Sequence, residues 1–253
     1  MKLRALLLLL AGSAVLASSV TAQESTESSR GPDGGTRVHV AGIQVLPVTG
    51  KPFSGRDTID WTRTLEDGSV VTTHLMAMVA RDSQGRIRRE HVTFVPANSN
   101  EQSRAMDMII LDPAEHTRTT CTIASRHCTV TDYSATVKFA PAPAGSLDNG
   151  KRFLTRENLG TDVVDDLNVV GTRETLTINA GVIGNNQPVV TTREFWYSSD
   201  LEINLSVTRK DPREGTQVIQ LTDLSRSEPD PALFRVPSDF AIEDQRASAK
   251  TGN

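Results

Sequence analysis

Polar and apolar residues alternate along much of this chain. Leu201, Ile203, Leu205 and Val207 are separated by Glu202, Asn204 and Ser206, the two-residue period of a strand with one buried and one wet face. Thr58 to Leu65 places Ile59, Trp61 and Leu65 on one side and Thr58, Asp60, Thr62 and Thr64 on the other, with Arg63 interrupting the apolar side. Val70 to Arg81, Ile87 to Val95, Met106 to Leu111, Thr117 to Ile123, Val169 to Ile178, Val189 to Tyr197 and Thr216 to Leu224 also read as strands. They are rich in the Thr, Val and Ile that suit a pleat. Asp67-Gly68 is a tight-turn signal, Ser83-Gln84-Gly85 a hairpin loop, and Asp165-Asp166 a weaker turn. No dozen residues carry a helical stripe, although Glu157 and its neighbours have the composition of a short helix.

Strand following strand without crossover helices implies a mainly β protein built on antiparallel sheet. Strands longer than the usual five or six residues tend to curl. The expected architecture is therefore a long-stranded antiparallel sheet curled into a half-barrel or open barrel, with few short helices.

Segments outside this pattern set the boundaries. Lys2 and Arg4 precede an apolar or small run from Ala5 to Leu16, and Val20-Thr21-Ala22 offers small side chains for a peptidase. Residues 1–22 read as a signal peptide cut between Ala22 and Gln23. The run gives way to Ser18, Ser19 and Thr21 before the length a spanning helix needs, so no transmembrane anchor is expected after cleavage. Residues 23–36 read as a flexible leader, 37–242 as a single antiparallel β domain and 243–253 as a disordered tail. Localisation follows: periplasmic or secreted, and soluble.

Charge narrows the partners. The chain has 27 basic and 31 acidic residues, a formal charge of −4. Removing Lys2 and Arg4 with the signal takes it to −6. Such a chain lacks the basic stripe of a nucleic-acid binder and the clustered Lys and Arg that hold anionic headgroups.

A longer pattern becomes visible toward the C-terminus. Glu194-Phe195-Trp196-Tyr197-Ser198-Ser199-Asp200-Leu201 opens a run that continues through Asp211-Pro212-Arg213 and closes on Asp230-Pro231-Ala232-Leu233-Phe234-Arg235-Val236-Pro237. With Pro52-Phe53-Ser54, Ala80-Arg81-Asp82-Ser83-Gln84-Gly85-Arg86 and Gly171-Thr172-Arg173 to Gly184-Asn185, this resembles a set of uncharacterised exported bacterial proteins. The layout of the last third is similar to the periplasmic lipoprotein-carrier superfamily, the LolA-like fold. That resemblance implies an open barrel whose concave face is plugged by helices and holds an apolar ligand.

Candidate chemistry is sparse. Cys121 and Cys128 are the only cysteines, and an exported chain permits a disulfide. A four-residue loop at Ile123-Ala124-Ser125-Arg126 sets Thr122 opposite His127 and Cys121 opposite Cys128, within bridging range. The rival use, a metal site of His116, Cys121, His127 and Cys128, lacks the paired short spacing of zinc sites. The histidines, His39, His74, His91, His116 and His127, are scattered. No nucleophile elbow, phosphate loop or metalloprotease helix occurs, and Asp165-Asp166 and Asp57 with Asp60 read as turn and edge residues. The expectation is a non-enzyme with no catalytic residues, no metal and no cofactor. Trp61, Met76, Met78 and Trp196 are the candidate lining of an apolar site, since deformable Met beside aromatics makes an adaptable cleft. Two functions follow: a carrier or sensor holding a lipid or acyl chain, or an envelope protein–protein interaction module that uses its sheet edge.

Overall fold

The computed structural model describes residues 29–30, 36–37, 42–134 and 143–246. The signal segment, its cut at Ala22–Gln23, His39 and residues 247–253 lie outside them. Chain contacts divide the molecule into two units, Met1–Val40 and Ala41–Asn253. In the first, β1 (Ser29–Arg30) pairs with β2 (Thr36–Arg37) in antiparallel fashion, across the end of residues 23–36, which by composition read as a flexible leader.

The second unit is one open sheet of fourteen strands. Its first meander comprises β3 (Phe53–Thr64), β4 (Val70–Arg81), β5 (Ile87–Val92), β7 (Ala105–Asp112), β8 (Thr117–Thr122) and β9 (His127–Asp132), with β6 (Val95–Pro96) paired to β4. The second comprises β10 (Gly145–Leu147), β11 (Arg152–Val164), β12 (Leu167–Ile178), β13 (Val189–Ser198), β14 (Ile203–Asp211) and β15 (Gly215–Ser225). Pairing of β15 with β3 joins the two meanders edge to edge. A last strand, β16 (Ala241–Asp244), crosses to the far edge and lies parallel to β9. The helical pieces among the described residues are two single 3-10 turns, Asp148–Gly150 and Pro231–Phe234. The chain therefore forms the long-stranded, open, antiparallel sheet that its alternation implies, and only β16 breaks the antiparallel rule.

Turn chemistry fixes the registers. Gly68 and Gly85 both take positive φ, at 82° and 84°, conformations that cost a glycine little. Asp165 and Asp166 are left-handed at both central positions, the two-residue turn whose twist suits a hairpin. Two readings change. The segment around Glu157 is not a helix: it lies inside β11, a thirteen-residue strand whose scattered polar residues hide the two-residue period. Glu243 and Asp244, placed in the tail by composition, belong to β16.

Two straps cover the sheet, one on each face. Residues 42–52 run over the face that bears Phe53, Ile59 and Trp61, and bury Ile43 and Val45 against it. Arg81, fully buried, holds this strap through the carbonyls of Lys51 and Leu46, both at 3.0 Å, and ties it to the β13–β14 turn through that of Leu201 at 2.6 Å. Its neighbour Asp82 folds the next turn by accepting from the Gln84 and Arg86 amides at 3.0 and 2.8 Å. On the opposite face residues 226–240 carry Phe234 into a cluster with Ala80, Met108, Ile110, Cys121 and Cys128. Cys121 and Cys128 stand opposite each other and form a disulfide at the floor of that cluster.

Candidate binding site

Strand register decides which side chains can meet. Trp61 is opposite Gln217, Gln217 opposite Arg209, Arg209 opposite Arg193, Arg193 opposite Glu174 and Glu174 opposite Arg156. Directly opposed residues share a face, so these six form one row on the strap 42–52 side. Trp196, Ser206, Gln220, Thr58 and Met76 form a second row on the other side.

The four residues expected to line an apolar site are therefore not brought together. Trp61 faces one side of the sheet, and Met76, Met78 and Trp196 face the other. Trp196 is four strand spacings from Met76, about 19 Å at the usual interstrand distance. Three of the four are also occupied locally. The Arg63 guanidinium lies 4.4 Å over the Trp61 ring, Phe94 is 6.0 Å away, and the indole N–H donates to the Glu214 carbonyl at 2.6 Å. Met76 Sδ accepts from Arg56 at 3.4 Å. The Trp196 ring packs over Gly171, where an added Cβ would meet it at 2.8 Å.

The rows carry a pattern of charge instead. Arg156-Glu157, Arg173-Glu174 and Arg193-Glu194 occupy three neighbouring strands in register. Because the strands are antiparallel, each Arg meets a Glu of the next strand on the same face. On one face Arg156 Nη2 reaches Glu174 Oε1 at 2.6 Å. On the other, Arg173 bonds Glu157 at 2.9 Å and Glu194 at 2.8 Å at once, and both carboxylates hold the Arg173 pKa above its ordinary value.

This pattern ends at an open edge. β10 pairs with β11 only from Arg152 to Leu154, so from Thr155 to Val164 the outer edge of β11 has no strand partner among the described residues. Most side chains of that stretch are exposed. Unpaired backbone donors and acceptors on a long edge are a template for another strand.

Buried electrostatics lie elsewhere. Asp57, beneath the strap, accepts from the Ile43 amide at 3.0 Å and stands 3.7 Å from Arg89. Burial pushes its pKa up to about 6, against the opposing pull of Arg89 and the Ile43 amide. Gly42 is required there, since any Cβ would fall 1.9 Å from the Asp57 carboxylate. Asp211 shows the reverse. Bonds from the Arg213 side chain and amide, and from Thr191, pull it down to about 2 against the cost of burial. It pins the β14–β15 turn beside an open cleft of about 680 Å³ lined by Arg63, Leu65, Val190, Lys210 and others, which is more polar than an acyl pocket.

The histidines stay scattered: His74 pairs with Asp60 at 2.7 Å and His127 with Glu243 at 3.2 Å. The described residues contain no group of three His, Cys, Asp or Glu side chains placed to hold a metal. None of their helices is long and apolar enough to cross a membrane.

No family model matches the sequence, and no curated protein does. Among solved structures the chain is similar to an uncharacterized conserved protein from Thermus thermophilus, 13% identical over 77% of this chain and 91% of that one, with a TM-score of 0.39. The MucA/MucB complex of Pseudomonas aeruginosa is 12% identical over 77% of this chain, with a TM-score of 0.37. There the chain spans 58% of the aligned protein. A LolA superfamily protein from Nitrosomonas europaea is 10% identical over 75% and 92%, with a TM-score of 0.29. At these scores the likenesses assign no function to this chain.

Proposed function

We propose that this is an exported, non-catalytic protein that binds an extended segment of another protein along the outer edge of β11. One observation carries the reading: Thr155 to Val164 offers ten residues of exposed strand edge without a strand partner among the described residues. Strand addition needs only that edge, with main-chain hydrogen bonds supplying affinity and flanking side chains supplying selectivity. Acyl-chain binding, the other function the alternation suggests, is disfavoured, because Ile43, Val45 and Phe234 from the chain's own straps sit over the apolar parts of both faces.

The test is a photo-crosslinking residue placed in the exported protein within its own cell envelope. Incorporation at Thr155 or Thr161 is expected to give a discrete protein adduct, while incorporation at Gln220, exposed on β15, gives none. Adducts from Gln220 alone, or stoichiometric lipid released from the purified protein and detected by mass spectrometry, would move the binding site off the edge.

A further inference from the structure

We infer that the cleft beside the β14–β15 turn is an oxyanion site centred on Lys210, for a carboxylate or phosphate group carried on an apolar body. It is separate from the β11 edge and stands or falls without it. Strand register builds the floor. Thr192 is directly opposite Lys210, and Lys210 directly opposite Thr216. One ammonium therefore stands between two hydroxyls on the same face of three neighbouring strands, the face of Trp196. Opposed Cβ atoms lie about 5 Å apart, close enough for all three side chains to reach one oxyanion. All three line the cleft.

The charge around Lys210 sets it apart. Asp211, Arg213 and Glu214 also line the cleft, but they are engaged with one another and with Arg209. Arg213 bonds Asp211 at 3.0 and 2.8 Å, and Arg209 reaches Glu214 at 2.7 Å. The Arg63 guanidinium lies over the Trp61 ring, on the other side of the sheet. Lys210 has no carboxylate partner among the described residues, and the Thr192 and Thr216 hydroxyls have no hydrogen-bond partner there. Farther along the same row Thr62 and Thr72 do bond each other, at 3.1 Å. Among the acids of the lining, Glu66 alone lacks a basic partner in the described residues, and it is exposed on the β3–β4 turn.

The donor set defines the ligand class. An ammonium and two hydroxyls offer charge and several donors without the fixed fork of a guanidinium, so the site reads an oxyanion's charge rather than a planar shape. Leu65 and Val190, 45% and 46% exposed, also line the cleft and give an apolar body a surface to lie on. A volume of about 680 Å³ is that of a small-molecule site.

Benzoate and phenyl phosphate, with benzyl alcohol as the uncharged comparator, test this by titration into the isotope-labelled protein, followed through its amide resonances. Both anions should bind saturably and shift the amides of Thr192, Lys210 and Thr216. Each should bind about tenfold tighter than benzyl alcohol, the difference one charge-assisted hydrogen bond makes. Lys210→Gln should remove that advantage and Lys210→Arg keep most of it, with the far-UV spectrum unchanged in both. Glu66→Gln should tighten both anions by removing an opposing charge. Vesicles of phosphatidylcholine, with and without phosphatidylglycerol, distinguish a free solute from a lipid headgroup. Sedimentation that requires both phosphatidylglycerol and Lys210 assigns the oxyanion to a headgroup, and binding of the soluble anions alone assigns it to a free solute. The site is overturned if benzyl alcohol binds as well as the anions, if Lys210→Gln leaves their affinity unchanged, or if neither anions nor vesicles bind.

Discussion

Asp57 and Asp211 are both buried carboxylates, yet their surroundings push them in opposite directions, to about 6 and about 2. Between roughly pH 4 and 6 the folded protein holds a proton on Asp57 that the unfolded chain has released. Asp57 therefore favours folding less as pH rises through that window. Going from pH 7 to pH 5 should add about 1 kcal/mol of stability through this group. Asp57→Asn, which keeps an acceptor for the Ile43 amide, should lose that increment. Urea unfolding of both proteins at the two pH values measures it, and parallel shifts would contradict it. Asp211 contributes nothing to that interval, because its stabilisation is lost only as pH falls toward about 2. Arg81 is the other residue with a measurable role. Removing it leaves the buried carbonyl of Leu201 and the half-buried ones of Leu46 and Lys51 without their donor, so Arg81→Ala should cost about 3 kcal/mol or more. A loss below about 1 kcal/mol would mean water replaces the guanidinium.

Among the elements, the strap 226–240 and the disulfide act on the same patch. The bridge joins residues 7 apart in sequence. It should contribute about 2 to 3 kcal/mol by restricting the unfolded chain. Phe234→Ala removes the side chain that covers the bridge, and should cost about 3 kcal/mol. It should also raise amide exchange in β16, which follows the strap, before it does so in β12 or β13. Uniform exchange across the sheet would contradict that order. Much of this level is readable in the sequence. Val70–Arg81, read as a strand from its Val and Thr content, is β4 to the residue, and the four-residue loop at Ile123–Arg126 sets the cysteines opposite each other. What escapes is β11, because Arg156, Glu157, Asn158, Thr161 and Asp162 leave no apolar side to detect. An edge strand has little to bury, so the alternation that reveals a half-buried strand is weakest where the candidate site lies.

At the scale of the whole molecule the sheet is open, with β11 near one end and β16 at the other. The apolar lining expected from Trp61, Met76, Met78 and Trp196 presupposes one shared face. Sequence alone gives the parity of residues within a strand but not the register between strands, and register puts Trp61 on the opposite side from the rest. The Arg-Glu pairs at 156, 173 and 193 are plain in the sequence but acquire meaning only when register stacks them.

If the molecule is built to accept a strand at one end, binding should change protection there and hardly elsewhere. Amide hydrogen exchange of the full protein, with and without a saturating peptide of alternating Thr and Val, measures this most directly. The account predicts slowed exchange confined to Thr155–Val164 and lost when alternate amides of the peptide are N-methylated. Protection that appears instead under either strap, or around the cleft at Arg63 and Lys210, would contradict it.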